Sequence, residues 1–422
     1  MSKCRYQASE FKRVNWKRLR DEVSAADRIV FAVDVAKEDF FAGVMKADRR
    51  LLVTMKWRHP EQTREVVGQL TGLGVWRVEA VLEPSGTYGD SLCGLLRSVG
   101  IAVHRVSPKR VHDAAELYDG VPSLHDAKAA YVIGRLHLEG VSQPWRVASV
   151  QRRELKAQLG LLGQYQERHQ RALNRLEALL ARHWPEAPKC LVPASVSLLR
   201  VLERYGDPVS VAREAAAAQA LLRRIGGHWL RREKIASLLA SARTTLGVPC
   251  VDGERRLVQA FAQEVLETHR QIAELEKGLA AQVRAEAGLE HQAAAIGNVS
   301  AVVLHCALGD VREYPEARSY LKAAGLNLKE RSSGKHKGQL KITKRGPGIV
   351  RSYLYFAVLR LIAREGPARR WYLAKVARDG GRTGKAITAL MRKLAKALWH
   401  VGHGVAFDEA KLFAAPPRDR AA

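Results

Sequence analysis

Cysteine is scarce in this chain, five among 422 residues, at Cys4, Cys93, Cys190, Cys250 and Cys306. None forms a Cys-x-x-Cys pair, which argues against a structural thiolate zinc site and against a disulfide scaffold. Apolar runs are short as well, none long enough to span a bilayer. The basic opening segment Met1–Glu22 has no apolar h-region, so no secretory signal, no membrane partner and a reducing, cytoplasmic setting are expected. The largest shortfall is acidic: 43 Asp+Glu against 70 Lys+Arg leave a formal charge of +27. A surplus of that size points to a polyphosphate partner, because each neutralised phosphate releases counterions. With 47% hydrophobic residues the chain is nonetheless globular, and it is long enough for two or three domains.

Five segments are expected. Residues 1–27 read as a loose or helical basic arm. Residues 28–145 alternate strand and helix patterns: buried strands at 28–33, 39–45, 50–57, 77–82 and 101–106, with helices at 60–70, 88–99 and 128–138. An opening run of strands followed by helix–strand alternation indicates an α/β sheet domain. Residues 146–290 are mainly helical, with Leu155, Leu159, Leu162, Leu173, Leu176 and Leu180 at helical spacing and a second stripe on Leu257, Phe261, Val265, Ile272, Leu275 and Leu279. These stripes are either a coiled-coil dimer seam or the packed faces of a bundle. Residues 291–404 hold a helix–turn–helix around Ile296-Gly297, a basic loop at 329–346 and a helix at 350–363; residues 405–422 form a poorly patterned tail.

Two constellations suggest chemistry. Asp34 sits in an apolar strand, where a lone carboxylate costs several kcal/mol unless it is paired or metal-bound. Glu83 lies just past the end of another strand, where sites in α/β sheets gather, and Asp126 opens a helix. Carboxylates converging there can hold Mg²⁺, a hard cation that takes oxygen ligands; each alone is equally a cap or a solvated acid. The second constellation is Ser332-Ser333-Gly334 among Lys335, Lys337, Lys341, Lys344, Arg345 and Arg351. There a serine is either a nucleophile activated by a positive field or only a hydrogen-bond donor to phosphate.

The order of these segments resembles that of the bridge-RNA-guided recombinases, insertion-sequence transposases with a RuvC-like (RNase H-like) N-terminal domain and a C-terminal serine domain. The resemblance runs through Val33-Asp34-Val35-Ala36-Lys37, Glu83-Pro84-Ser85-Gly86-Thr87-Tyr88, Val106-Ser107-Pro108, His125-Asp126-Ala127-Lys128-Ala129-Ala130 with Ile133, Ile296-Gly297, Ala324-Gly325-Leu326, Ser333-Gly334, Ile342-Thr343-Lys344-Arg345-Gly346 and Arg351. It covers most of 28–365. It implies a RuvC-like α/β domain, a mainly α-helical coiled-coil-like middle and a helix-hairpin-helix-containing serine domain. It implies metal roles for Asp34, Glu83 and Asp126, with Mg²⁺ as cofactor, and a nucleophilic serine at Ser333, with Ser332 the close competitor. DNA, a structured guide RNA and further copies of the chain, as dimer or tetramer, are the implied partners.

One departure stands out. The family carries Asp-x-x-Asp at the start of the last RuvC-like helix; read from Asp126, the second acid falls on Ala129, and in the other register the first falls on Ser123. Either way three of four acids are present, with Asp119 or Glu116 as possible substitutes. The expected function is a Mg²⁺-dependent DNA transposase or recombinase. A RuvC-like nuclease or junction resolvase, and a non-catalytic transposon remnant, remain as alternatives.

Overall fold

The computed structural model describes residues 6–413 except 85, 287, 334 and 335, and does not describe the side chains of 331–333, 336, 337 and 339. The chain divides into two compact units, one ending at Val147 and one starting at Ala148.

The first unit is built on a sheet of strands β1 (Ser9–Glu10), β2 (Ile29–Asp34), β3 (Asp39–Lys46), β4 (Leu51–Arg58), β5 (Val78–Leu82), β6 (Ala102–Arg105) and β7 (Gln143–Pro144). Their order is β1-β4-β3-β2-β5-β6-β7. The β2–β3 and β3–β4 pairs are antiparallel, whereas β2–β5 and β5–β6 are parallel. Five of the six residues of β2 are fully buried, which is why it reads as a continuous apolar run rather than an alternation. Side chains alternate across a sheet. Phe31 and Val33 join one core with Trp57, Leu70 and Leu92, against helices α1 (Trp16–Val23), α2 (Thr63–Thr71) and α3 (Asp90–Ser98). Val30, Ala32 and Val81 face the other core, with Val111 of α4 (Pro108–Asp113) and Val132, Ile133 and Leu136 of α5 (Asp126–Leu138). Gly134 lets α5 lie close on the sheet, since a Cβ there would collide with Met45 Sδ and approach Ala32 Cβ.

The expected strands and helices of this unit are present with ends shifted by a few residues. The segment read as a loose or helical arm holds α1 and β1, β1 pairs with β4, and Phe11, Trp16, Leu19 and Val23 are core residues. The basic surplus of this segment hid its apolar face, Trp16, Leu19 and Val23 at helical spacing.

The second unit is helical apart from one hairpin. Helices α6 (Val150–His183) and α12 (Asp252–Ala285) have 34 residues each, about 50 Å long. Between them lie α7 (Ala187–Cys190), α8 (Val196–Tyr205), α9 (Pro208–Arg213), α10 (Ala215–Gly226) and α11 (Arg232–Arg243). Leu155 and Leu162, near the start of α6, share a core with Leu279 and Val283, near the end of α12. Leu176 and Leu180 share another with Val258, Ala262 and Val265. The two stripes therefore meet each other, antiparallel, inside one chain: of the two expected arrangements, the structure has the bundle face.

Next come α13 (Leu289–Ile296) and α14 (Asn298–Leu308), joined at Gly297, whose φ of +85° excludes most side chains. Arg360 Nη2 donates to Ile296 O (2.7 Å) and Ser300 Oγ (2.9 Å), tying the turn to the interior. Helices α15 (Ala317–Ala323), α16 (Gly348–Ala363), α17 (Pro367–Arg378) and α18 (Thr383–Gly402) complete the unit. The expected basic loop contains a hairpin, β8 (Leu328–Ser333) with β9 (His336–Ile342). Its strands are mostly polar in sequence and are held by backbone pairing, with Ile342 packed against the core. One core joins residues from Leu155 to Phe413.

Candidate functional site

Alternation places the acids. Asp34 ends β2 on the face of Val30 and Ala32, and Glu83 follows β5 on the face of Val81, which is the α5 side. The two strand ends are fastened together: Val33 pairs with Leu82, and Glu83 N donates to Val33 O at 3.4 Å. Asp126 is the first residue of α5, exposed, with His125 as N-cap. The three therefore gather at the carboxyl end of the parallel strands, on the face that α5 covers.

Charge reports the same grouping. The Asp34 carboxyl is pushed up to about 6, first by burial, then by the negative charges of Glu83 and Asp126; the Val35 N–H works in the opposite sense. Burial also raises Glu83. A raised folded-state value means that Asp34 contributes stability in its protonated form, fully present below its unfolded value near 3.8 and lost as pH rises through about 6. A shift of this size corresponds to about 3 kcal/mol before solvent at this half-buried site reduces it. Asp34→Asn is accordingly expected to melt higher than the parent at pH 7.5, and the difference should shrink to nothing near pH 4. Parallel melts of both proteins across that range check this; a gap independent of pH would contradict the coupling.

Lys128 sits two residues into α5 with 2% side-chain exposure, its Nζ donating to Asp119 Oδ1 (2.9 Å) and Val121 O (2.6 Å). This pair fastens the loop that leads into α5. Asp119 also accepts from Val121 N at 3.0 Å. It is thus engaged as an anchor within the loop, while Glu116 is exposed. Ala129 is buried at 5% exposure and Ser123 is exposed.

Among the described residues, the ligand-type atoms that all lie within 4.8 Å of one another belong to Glu79, His104 and His137, not to the three acids. Glu79 is on the same face of β5 as Glu83 but at the other end, about 13 Å along the strand. Its carboxylate accepts from Arg28 Nε (3.1 Å) and Nη2 (2.7 Å) and bonds His137 Nε2 (2.7 Å), whose Nδ1 meets Ser142 Oγ at 2.6 Å. Arg28 already balances the carboxylate, so the cluster reads as a half-buried staple between β5 and the end of α5. Sequence reasoning passed over it, although Glu79 carried the signal used for Asp34, an acid in an apolar strand.

In the second unit, Ser333 ends β8, but its side chain, with those of Ser332 and Lys337, lies outside the described residues, as does Lys335 altogether. Lys341, Lys344 and Arg345 are exposed. Lys341 and Lys344 line a cleft of about 670 Å³ together with Lys329, Lys375, Lys385 and Arg392. Arg351 differs from the loop cations, since its Nη1 donates to Gly346 O at 2.8 Å and points under the Gly325 turn.

Residues 31–185 match the DEDD-type transposase domain of IS110 elements, and residues 291–373 match the transposase IS116/IS110/IS902 family. The chain carries IS110/IS116-type transposase domains. An insertion element IS116 uncharacterized 44.8 kDa protein of Streptomyces clavuligerus is 24% identical over 391 residues, 88% of this chain and 94% of that protein. A probable family 20 transposase of Pseudomonas aeruginosa is 29% identical over 174 residues, and the match spans 51% of that relative and 40% of this chain. Among solved structures, Thermus thermophilus RuvC in complex with a Holliday junction substrate is 16% identical over 28% of this chain and 99% of that one, with a TM-score of 0.22. A second Thermus thermophilus RuvC structure gives 15% and the same score. The candidate acids fall inside the DEDD-type transposase domain, and the serine hairpin falls inside the second transposase domain. No helix among the described residues is long and apolar enough to cross a membrane.

Proposed function

We propose that this chain is a transposase that cuts and rejoins the DNA strands of an insertion sequence, with a RuvC-like metal site and a serine nucleophile. The observation that carries the reading is the meeting of Asp34, Glu83 and Asp126 at one end of the sheet, in the order in which the matched domain's name spells its first three acids. Their donor chemistry fits a hard divalent cation: three carboxylates, two of them held above their ordinary range, with acids as the neighbouring charges that act on Asp34. Asp34, Glu83 and Asp126 would hold Mg²⁺, which when bound supplies charge neutralisation for phosphoryl transfer. Glu83 and Asp34 lie on fastened strand ends, so their separation is fixed by the sheet, while Lys128 and its loop fix Asp126.

In this reading Ser333 Oγ attacks phosphorus. The Oγ–P bond forms as the P–O bond to one strand end breaks, that end leaves as a hydroxyl that takes the proton the serine gives up, and the phosphodiester's energy is kept in a phosphoserine for rejoining. The surrounding cations favour the alkoxide-like oxygen and the charge on the reacting phosphate. A structured guide RNA and a homo-oligomer belong to the same reading; the +27 charge accords with carrying two nucleic acids.

The test is a covalent adduct. Incubating the protein with insertion-sequence ends and Mg²⁺ should yield a denaturant-resistant protein–DNA species. Cut ends with no adduct would indicate water as nucleophile and the plain nuclease reading; no cutting would indicate the remnant.

The hairpin and cleft should dominate the salt dependence of binding. Each phosphate contact contributes roughly −0.9 to the slope of log K against log salt on duplex DNA. Removing Lys341, Lys344 and Arg345 together should make the slope shallower by about 2 to 3. A titration series with an unchanged slope would take this segment out of the interface.

A further inference from the structure

We propose that the first unit contains a preorganised phosphate seat, an arginine pocket at the same end of the sheet as the candidate acids, which binds a phosphodiester of the nucleic-acid strand being cut. The pocket, of about 410 Å³, is lined among others by Arg105, Arg110, Arg146, Ser107 and Pro84. The identity of the strand rests on the function proposed above; the seat itself does not.

Position is the first argument. Pro84 is the chain neighbour of Glu83, and Val106 N donates to Leu82 O at 3.0 Å, so the end of β6 is fastened to the end of β5 that carries the acid. A phosphate in this pocket therefore sits at the same end of the sheet as the carboxylates.

Preorganisation is the second. Arg105 is held from two sides, by Asp90 Oδ1 at 2.6 Å from its Nη2 and by the Trp145 ring, whose centroid is 5.1 Å from its Cζ. Arg110 is oriented by Val141 O, 3.0 Å from its Nη1. Arg146 stands exposed at the pocket. Three guanidinium groups thus face one pocket, and Arg105 among them is paired with Asp90. Guanidinium forks match phosphate oxygens two at a time and, when their direction is already fixed, give up little conformational freedom on binding.

The measurement uses the full chain and a labelled single-stranded oligonucleotide, with binding followed by fluorescence anisotropy from 50 to 200 mM salt. Arg110→Ala with Arg146→Ala should make the salt slope shallower by about 1.4, roughly 0.7 for each contact. Arg50→Ala with Arg64→Ala removes the same charge from exposed positions of the same unit and should change the slope by less than half as much. Arg110→Lys with Arg146→Lys should keep most of the slope while weakening binding, which separates fork geometry from charge and guards against misfolding of the alanine pair. An unchanged slope in the alanine pair overturns the seat, and an equal change in the control pair reduces it to general charge. Competition by a free mononucleotide as effective as the strand itself would overturn the assignment to a polymer. Because the readout is binding, retention of cleavage by Asp34→Asn would end the metal-site reading and leave this result standing.

Discussion

Alanine at Ser333 is expected to abolish strand transfer and the covalent protein–DNA adduct while leaving nucleic-acid binding nearly intact. Loss of one hydroxyl leaves charge unchanged and removes little volume, so the fold should survive. If the serine only donated a hydrogen bond to phosphate, its loss would be worth about 0.5–1.5 kcal/mol, a tenfold effect at most. A nucleophile instead takes the chemical step with it, and losses of several orders of magnitude follow. Ser332→Ala is the internal control and should retain activity. The reverse pattern would move the nucleophile by one residue, and full activity in the double variant would favour water. Adduct formation on denaturing gels and recombination yield are the two readouts.

Asp34→Asn should remove Mg²⁺-dependent cleavage by about three orders of magnitude, since losing several kcal/mol of transition-state charge stabilisation has that effect. DNA binding should hold or tighten slightly, because one negative charge leaves the neighbourhood of the phosphates. In the parent, cleavage should also fall as pH drops through about 6, where Asp34 takes up a proton; metal binding will move that midpoint downward. Cleavage by Asp34→Asn within tenfold of the parent would show that the acids at this sheet end do not form the metal site. The same substitution that removes activity is expected to raise the melting temperature at neutral pH, as befits a charge cluster kept for function at a cost in stability.

Much of this was legible in the sequence because it rests on short-range rules. The apolar run Ile29-Val30-Phe31-Ala32-Val33 specifies a doubly buried strand wherever it is placed, and an aspartate at its end is conspicuous for that reason. In the segment before it composition is only an average: Trp16, Leu19 and Val23 lie among lysines and arginines, and only their spacing shows the buried face. The hairpin at 328–342 left only a weak hydrophobic signal, Leu328, Leu340 and Ile342 among polar residues.

Other features had no local cause to be read. The leucine stripes of α6 and α12 fix that each helix buries one face, but an apolar face is indifferent to its partner. The choice between a second copy and the other helix was made by the chain's own antiparallel return. Asp119 and Lys128, nine residues apart, are an ion pair only because the loop before α5 folds back on that helix. The arginine pocket likewise joins residues from 84 to 146. The sequence by itself determined the kinds of chemistry available: carboxylates on strand ends, a serine among cations and an excess of positive charge. Only the tertiary structure decided which of them meet, because period-two alternation along β2 and β5 sends Asp34 and Glu83 to the face on which α5 brings Asp126.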